Sequence, residues 1–154
     1  MFVGLMVVCE AISHCLSERK DQLLALPRQL SSRQFEKLVS ELRLHPQRKV
    51  GVCTLRNREA EIFARQFLRA FKEAGWEANF VLTDLPENEM DSGVLFLSFE
   101  GNTPPSRPDF SLLETAFAGA NISYKMAYLR LMGVYTNGIS TNDPVVLIGK
   151  RFEY

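Results

Sequence analysis

The sequence predicts an α/β fold, namely a mixed, mostly parallel sheet of about five strands with helices on both faces, preceded by an N-terminal helix. Residues 48–84 contain a short apolar segment, an amphipathic segment and a second apolar segment, which is the pattern of a strand–helix–strand unit. Further apolar segments occur at residues 94–99 and 145–149, and residues 122–128 alternate in the manner of a strand. Helices packed on both faces of one sheet would bury all of these apolar surfaces.

The composition is that of an ordinary globular protein. A chain of 154 residues corresponds to one domain, and 46% hydrophobic with 23% charged residues is not the composition of a disordered chain. Lys and Arg together number 18, and so do Asp and Glu. This balance gives the protein no net field that would attract nucleic acid, so we expect no nucleic-acid partner.

The cysteines and histidines suggest neither a disulfide framework nor a metal site. Cys9, Cys15 and Cys53 make an odd number, and no Cys-x-x-Cys pair is present. Cys53 falls in a predicted buried strand, where cysteine behaves as a small apolar side chain. A reducing compartment fits this usage. His14 and His45 are isolated, so local spacing assembles no metal-ligand cluster.

The predicted domain organisation is an apolar N-terminal helix at residues 1–26, a candidate membrane-proximal stub, followed by an α/β domain at residues 27–154. Only residues 1–9 are uninterruptedly apolar and uncharged, whereas a membrane span needs about 20 such residues. Six apolar residues follow helical spacing: Leu5, Val8, Ile12, Leu16, Leu23 and Leu26.

Three interpretations of the N-terminal segment remain open. It is the end of a membrane helix, an interfacial or partner-binding helix, or a helix folded back on the domain. Basic residues follow the apolar start at Arg19, Lys20, Arg28 and Arg33, and beside a membrane they would place the domain on the cytoplasmic side. We therefore expect residues 1–16 to contact the cytoplasmic face of a membrane, with a soluble cytoplasmic protein as the alternative.

The first helix of the α/β domain has a strong start pattern. Ser31 and Gln34 have the spacing of a capping box, and Leu30 with Phe35 forms a hydrophobic staple. The helix is expected to end at residues 45–46, because proline follows there.

The next helix lies within the strand–helix–strand unit. Asn57 is a suitable N-cap, Gly75 is the expected left-handed stop, and Trp76 is placed to contact Phe71 beyond that stop. A continuous apolar stripe on this helix predicts one side of the core: Ala60, Phe63, Phe67, Ala70, Phe71 and Ala74.

The rest of the chain supplies the other elements. An acidic turn is expected at residues 85–92, and a loop with three prolines at residues 100–108. Asp109 begins a helix that ends near residues 119–121. Asn137 and Gly138 predict a hairpin turn. The closing segment 145–149 is entirely apolar apart from its glycine, which predicts a central place in the sheet.

These segments resemble the soluble domain of uncharacterised bacterial membrane-anchored proteins. The resemblance covers about residues 20–150 and rests on residues 27–35, 49–52, 59–67, 74–77 and 146–150. It implies membrane attachment, since such proteins carry one or two membrane helices ahead of the domain. It lends no activity and no site. This chain departs from the pattern because only a short apolar segment precedes the domain.

The first candidate ligand contact is the turn after the first strand. Open α/β sheets bind ligands at the carboxyl ends of their strands. Thr54, Arg56, Asn57 and Arg58 lie there beside a helix start, which suits a phosphate or carboxylate. Alternatively, Asn57 only caps the helix and the arginines are solvated. The absence of a glycine-rich phosphate loop favours this second interpretation.

The second candidate contact is the loop after the third strand, at residues 100–107. Glu100 and Asn102 lie in it, and we expect this loop to share an edge of the sheet with residues 54–59. These two residues complete the candidate ligand-binding set. No catalytic residue, metal ligand or cofactor is predicted.

The functional prediction follows from the lack of a catalytic constellation. Glu100 has no second carboxylate, and Ser98, Ser106 and Cys53 have no identifiable base. We expect a non-catalytic sensory or interaction domain rather than an enzyme. The alternative is a small domain that binds an anionic small molecule or nucleotide at the turn after the first strand. A protein partner, or self-association through the hairpin at residues 137–138, is a third hypothesis.

Overall fold

The structure is a computed structural model that describes residues 28–83, 93–100, 109–130 and 143–149. Within these residues the chain forms three helices and five strands. In chain order they are α1 (Ser32–Arg43), β1 (Lys49–Leu55), α2 (Arg58–Glu73), β2 (Glu77–Thr83), β3 (Val94–Glu100), α3 (Ser111–Gly119), β4 (Lys125–Arg130) and β5 (Val145–Ile148). Four predicted features lie outside the described residues, namely the N-terminal helix at 1–26, the acidic turn at 85–92, the proline-rich loop from 101 to 108 and the hairpin at 137–138.

The five strands form one sheet in the order β2-β1-β5-β3-β4. β1 is parallel to β2 and to β5, and β3 is parallel to β4. The pairing of β3 with β5 is antiparallel. The predicted α/β fold with a mixed, mostly parallel five-stranded sheet is thereby confirmed. The central position expected for the apolar segment at residues 145–149 is confirmed as well, since β5 lies in the middle of the sheet.

The sheet contains two strand–helix–strand units, β1–α2–β2 and β3–α3–β4. The strands of the first unit run antiparallel to those of the second. The crossover from β1 to β2 and the crossover from β3 to β4 also move toward opposite sides of the sheet. These two reversals cancel, so crossovers of the same hand place both helices on the same face. The buried residues of α1, α2 and α3 indeed belong to one cluster, which we call the helix face of the sheet. Its strand residues are Val50, Val52, Val94, Phe96, Val146 and Ile148.

Phenylalanines join the helices to the sheet on the helix face. Phe67 of α2 stacks on Phe117 of α3 with ring centroids 5.5 Å apart, and it meets Phe63 edge-on at 5.1 Å. Phe96 of β3 meets Phe117 edge-on at 5.0 Å. Phe67, Phe96 and Phe117 are fully buried. The apolar stripe predicted for α2 therefore forms one side of the core, as expected.

Local capping sets the helix ends. Ser31 Oγ accepts from the Gln34 amide and Gln34 Oε1 accepts from the Ser31 amide, both at 3.1 Å, which confirms the capping box. Gly75 has φ of 88°, and the Trp76 amide donates to the Phe71 carbonyl at 2.9 Å. This is the Schellman arrangement expected at the end of α2. The Trp76 ring lies 5.8 Å from that of Phe71, as the sequence predicted.

The opposite side of the sheet is apolar as well, and we call it the second face. Its buried residues form a separate cluster made of Cys53, Leu55, Leu95, Leu97, Val145 and Leu147. They alternate along β1, β3 and β5 with the residues of the helix face, as the two-residue period of a strand requires. No residue of α1, α2 or α3 belongs to this cluster, so the described helices all cover the other face.

The central position of Phe67 leads to a stability prediction. Phe67→Ala removes a fully buried ring between α2 and α3, and we expect it to lower the free energy of unfolding by about 3–5 kcal/mol. Urea unfolding followed by Trp76 fluorescence measures this change. Ile62 lies on the same helix but is 44% exposed, so Ile62→Ala should cost less than about 1 kcal/mol. Equal losses in the two variants would contradict the proposed packing.

Candidate functional site

The predicted candidate residues do not share one edge of the sheet. β1, β2 and β5 end on one side of the sheet, which we call the first edge. β3 and β4 end on the opposite side, which we call the second edge. The expectation that the loop beginning at Glu100 shares an edge with residues 54–59 is wrong for Glu100 itself, because β3 runs antiparallel to β5 and hence also to β1. Glu100 lies at the second edge, paired in register with Arg130. Asn102 lies outside the described residues.

Thr54 is engaged within the sheet. Its side chain is fully buried, and its hydroxyl donates to the Ile148 carbonyl at 3.3 Å. The hydrogen bond joins two residues that are paired in register on neighbouring strands. A buried hydroxyl with a carbonyl partner stabilises the β1–β5 pairing and is poorly placed to contact a ligand.

Asn57 caps α2, as one of the two interpretations of this turn predicted. Its Oδ1 accepts from the amide of Glu59 at 2.9 Å and from that of Ala60 at 3.3 Å. These are the amides that would face an anion at a helix start, and the protein itself satisfies them. Arg56 and Arg58 are exposed beside this turn. Their role as ligand contacts stays a prediction.

The first edge is instead occupied by an ion pair that connects distant parts of the chain. Arg28 Nε donates to Glu59 Oε1 at 2.8 Å, and Arg28 Nη2 donates to Glu59 Oε2 at 2.9 Å. The same Nη2 reaches the Gly149 carbonyl at 2.8 Å, and the Arg28 amide donates to Glu59 Oε1 at 3.0 Å. We call Arg28, Glu59 and Gly149 the Arg28 clamp. It fastens the chain before α1 to the end of β5.

The Arg28 clamp is partly shielded from water. The Arg28 side chain is 15% exposed and that of Glu59 is 27% exposed. The guanidinium also lies 5.0 Å from the centroid of the Phe63 ring, which favours a cation. A bidentate arginine–carboxylate pair is the same geometry that would hold an anionic ligand. Here the carboxylate of Glu59 takes the position that such a ligand would need.

Sequence reasoning missed the Arg28 clamp. Arg28 and Glu59 are 31 residues apart, and Arg28 and Gly149 are 121 apart, so no local spacing connects them. The available indication was an acidic residue in the first turn of a helix, which the helix dipole alone explains. Only the fold brings the segment before α1 against the start of α2.

A cavity of about 450 Å³ opens where β1 and β2 begin, close to the start of α3. Arg48 Nη1 lies 3.8 Å from Asp109 Oδ2, and Lys49 Nζ lies 3.4 Å from Glu77 Oε1. Hydrogen bonds from Ser111 lower the pKa of Asp109, so this carboxylate is ionised near neutral pH. These two ion pairs use both cations of the lining, and Asp143 is a third carboxylate beside them. The remaining lining residues of the cavity are Gln47, Gly75 and Pro144.

A second cavity, also of about 450 Å³, lies between the start of α1 and the end of α3. Ser31, Gln34 and Asn121 of its lining belong to the caps of these two helices, and Lys37 Nζ lies 3.5 Å from Glu41 Oε1. Gln34 Nε2 donates to the Asn121 carbonyl at 3.0 Å, which joins the two helix ends. Asn121 has φ of 55° and ends α3 in the left-handed region. The cap residues that line this cavity therefore have a structural explanation.

Cys53 is not a reactive thiol. It is 5% exposed on the second face, and burial raises its pKa from the ordinary value of 9.0 to about 12. The thiolate is the nucleophilic form, so the buried thiol is inert near neutral pH. Among the described residues there is no group of three or more His, Cys, Asp and Glu side chains that could hold a metal ion.

No protein-family model, curated protein or solved structure matches this chain. The resemblance to bacterial membrane-anchored domains therefore stays a prediction. Across the described part of the chain, no helix is both long and apolar enough to cross a membrane.

The Arg28 clamp yields a measurable coupling energy. In a double-mutant cycle of Arg28→Ala and Glu59→Ala, we expect the two side chains to be coupled by about 1–2 kcal/mol in the free energy of unfolding, because the pair is bidentate and mostly buried. Lys49 and Glu77 form the matched control, since both are about 60% exposed, and such surface pairs couple weakly. A clamp coupling no larger than that of the control would contradict its structural role.

The raised pKa of Cys53 predicts a loss of stability at alkaline pH. The unfolded chain releases the thiol proton from about pH 9, whereas the folded chain retains it up to about pH 12. The protonated Cys53 thiol therefore makes its full contribution to the free energy of unfolding below pH 9, and this contribution falls as the pH rises above 9. Relative to Cys53→Ala, the free energy of unfolding should drop by about 1.4 kcal/mol between about pH 8 and about pH 10 in urea titrations. If the difference in the free energy of unfolding between the wild type and Cys53→Ala did not change with pH, the burial of this thiol would be contradicted.

Proposed function

We propose that this protein is a non-catalytic interaction domain that associates with the cytoplasmic face of a membrane through residues 1–16. The observation that carries the non-catalytic part is the Arg28 clamp. Its arginine and carboxylate occupy the carboxyl ends of β1 and β5 with groups of the protein itself. In an open α/β sheet this edge is the usual place for a substrate or cofactor.

The chemistry of the neighbouring side chains supports the same proposal. The hydroxyl of Thr54 is bonded to a backbone carbonyl, the amide oxygen of Asn57 caps α2, and the thiol of Cys53 is buried and protonated. Within the described residues, these candidates have structural partners in place of a nucleophile–base arrangement. Each one therefore contributes to the fold first.

The membrane part of the proposal rests on the sequence of the N-terminal segment. Residues 1–9 carry no charge, and basic residues follow at Arg19 and Lys20. This pattern suits attachment to an anionic membrane surface through an apolar stripe. Arg28, which is also basic, is paired with Glu59. The cations proposed to face the lipid are therefore those that precede it.

Vesicle flotation tests the membrane part. We expect the full chain to float with vesicles of phosphatidylcholine and phosphatidylglycerol, because its N-terminal apolar residues insert at the surface. Leu5→Asp combined with Val8→Asp should abolish flotation. Arg56→Ala combined with Arg58→Ala, which changes two exposed cations of the folded domain, should leave it intact. A wild-type chain that stays in the aqueous fraction would refute membrane association.

A thermal-shift measurement on the same variants tests the alternative function. Inorganic phosphate and ATP should leave the melting temperature unchanged, because the amides at the start of α2 already have a partner in Asn57. A stabilisation that disappears in the Arg56→Ala, Arg58→Ala variant would instead identify the turn after β1 as an anion site.

A further inference from the structure

The second face of the sheet is buried, although no described helix packs on it. Its six apolar side chains are between 0% and 5% exposed. They belong to β1, β3 and β5, the three central strands, so the buried area extends across the middle of the sheet. An uncovered sheet face of this composition would be a large exposed apolar patch, which monomeric soluble proteins avoid.

The sequence offers few segments that could cover this face. Residues 84–92 are rich in acidic side chains, and residues 101–108 contain no aliphatic or aromatic side chain apart from proline. Residues 150–154 are mostly charged. Several large apolar side chains occur only in two stretches outside the described residues, at residues 1–27 and 131–142. The longer of these is the N-terminal one.

The N-terminal segment has the amphipathic pattern that such a cover requires. We define the N-terminal stripe as Leu5, Val8, Ile12, Leu16, Leu23 and Leu26, which share one side at helical spacing. Glu10, His14, Ser17 and Asp21 fall on the opposite side, and Arg19 is the one charged residue within the arc of the stripe. A helix over residues 5–26 would be about 33 Å long, whereas a five-stranded sheet is about 19 Å wide between its outer strands. The segment is therefore long enough to cross the whole face.

The Arg28 clamp fixes where this segment meets the sheet. Arg28 is held against Glu59 and the Gly149 carbonyl at the carboxyl ends of β1 and β5. Leu26 precedes it by two residues, a span of at most about 7 Å. Residues 131–142, by contrast, connect the end of β4 to the start of β5, and both of these ends lie at the second edge. Cys53 and Leu55 lie toward the first edge, where the N-terminal segment arrives.

We infer that residues 1–26 dock across the second face of the sheet, with the N-terminal stripe packed on the cluster around Cys53 and Leu147. The stripe that covers the sheet is the same one proposed to enter a membrane, so the two contacts exclude each other. Docking does not depend on the proposed membrane function, but the competition between the two contacts does.

Cys53 is a built-in reporter of docking. In a full-length chain carrying Cys9→Ser and Cys15→Ser, it is the single remaining thiol. We expect slow alkylation by N-ethylmaleimide in this parent chain. Adding Ile12→Asp and Leu16→Asp should accelerate the reaction at least about tenfold, because an undocked segment exposes the thiol. Adding His14→Asp and Ser17→Asp, which places two carboxylates on the opposite side, should leave the rate unchanged.

Trp76 separates undocking from general unfolding. It is the single tryptophan of the chain, 3% exposed and part of the helix-face cluster. Its emission should stay unchanged in the stripe variant while Cys53 alkylation accelerates. If Ile12→Asp with Leu16→Asp also shifts the Trp76 emission, the milder Leu16→Ala replaces it in the test. We expect Leu16→Ala to accelerate Cys53 alkylation while the Trp76 emission stays unchanged. Unchanged alkylation in a stripe variant that keeps its Trp76 emission would overturn the inference, and acceleration by Leu131→Asp instead would assign the cover to residues 131–142.

Vesicles distinguish a failure of docking from a failure of the membrane proposal. Phosphatidylcholine–phosphatidylglycerol vesicles should accelerate Cys53 alkylation in the parent chain, since the stripe would leave the sheet for the lipid. Acceleration by the stripe substitutions without any effect of vesicles would retain docking and reject the membrane role. Flotation without any effect on Cys53 would retain the membrane role and reject the competition.

Discussion

The architecture depends on the pairing of β5 with two strands that run in opposite directions. Its residues Val145–Ile148 are all buried and pair in parallel with β1 and antiparallel with β3. This one strand joins the two strand–helix–strand units into a single sheet. The reversal across β5 brings the crossover helices to one face, separates Leu55 from Glu100, and leaves an apolar second face. If β3 ran parallel to β5 instead, crossovers of the same hand would place α2 and α3 on opposite faces, and Leu55 and Glu100 would lie at the same edge.

Local residues determined most of what the sequence could predict. The capping box of Ser31 and Gln34, the Asn57 cap and the Gly75 stop each act within a few residues, and all are present in the structure. The direction of a strand cannot be derived in this way, because the apolar residues of β3 and β5 follow the same alternation whichever way the strand runs. The expectation that the two candidate loops share an edge failed at this point, because Leu55 and Glu100 end strands that run in opposite directions.

The Arg28 clamp is a second feature that the local sequence could not predict. Arg28, Glu59 and Gly149 come from three distant parts of the chain, and nothing in their local sequence identifies them as partners. Two arginines of α2 also contact side chains that are distant in the sequence. The guanidinium of Arg65 lies 4.8 Å from the Phe80 ring centroid, and that of Arg69 lies 4.3 Å from that of Phe35. A chain with balanced charges thus uses its cations to cover aromatic surface, which composition alone does not reveal.

The place of β5 in the sheet also bears on the order in which the protein is made. Thr54 and Ile148 are paired neighbours although 94 residues separate them. On the ribosome, β1, α2 and β2 emerge together and can associate early, but β5, which pairs with the inner edge of β1 in the described sheet, is complete only when residue 148 has been synthesised. A nascent chain therefore exposes an unpaired strand edge through most of its synthesis, and contacts of such long range form slowly. The last of the described strands to be translated completes the middle of the sheet.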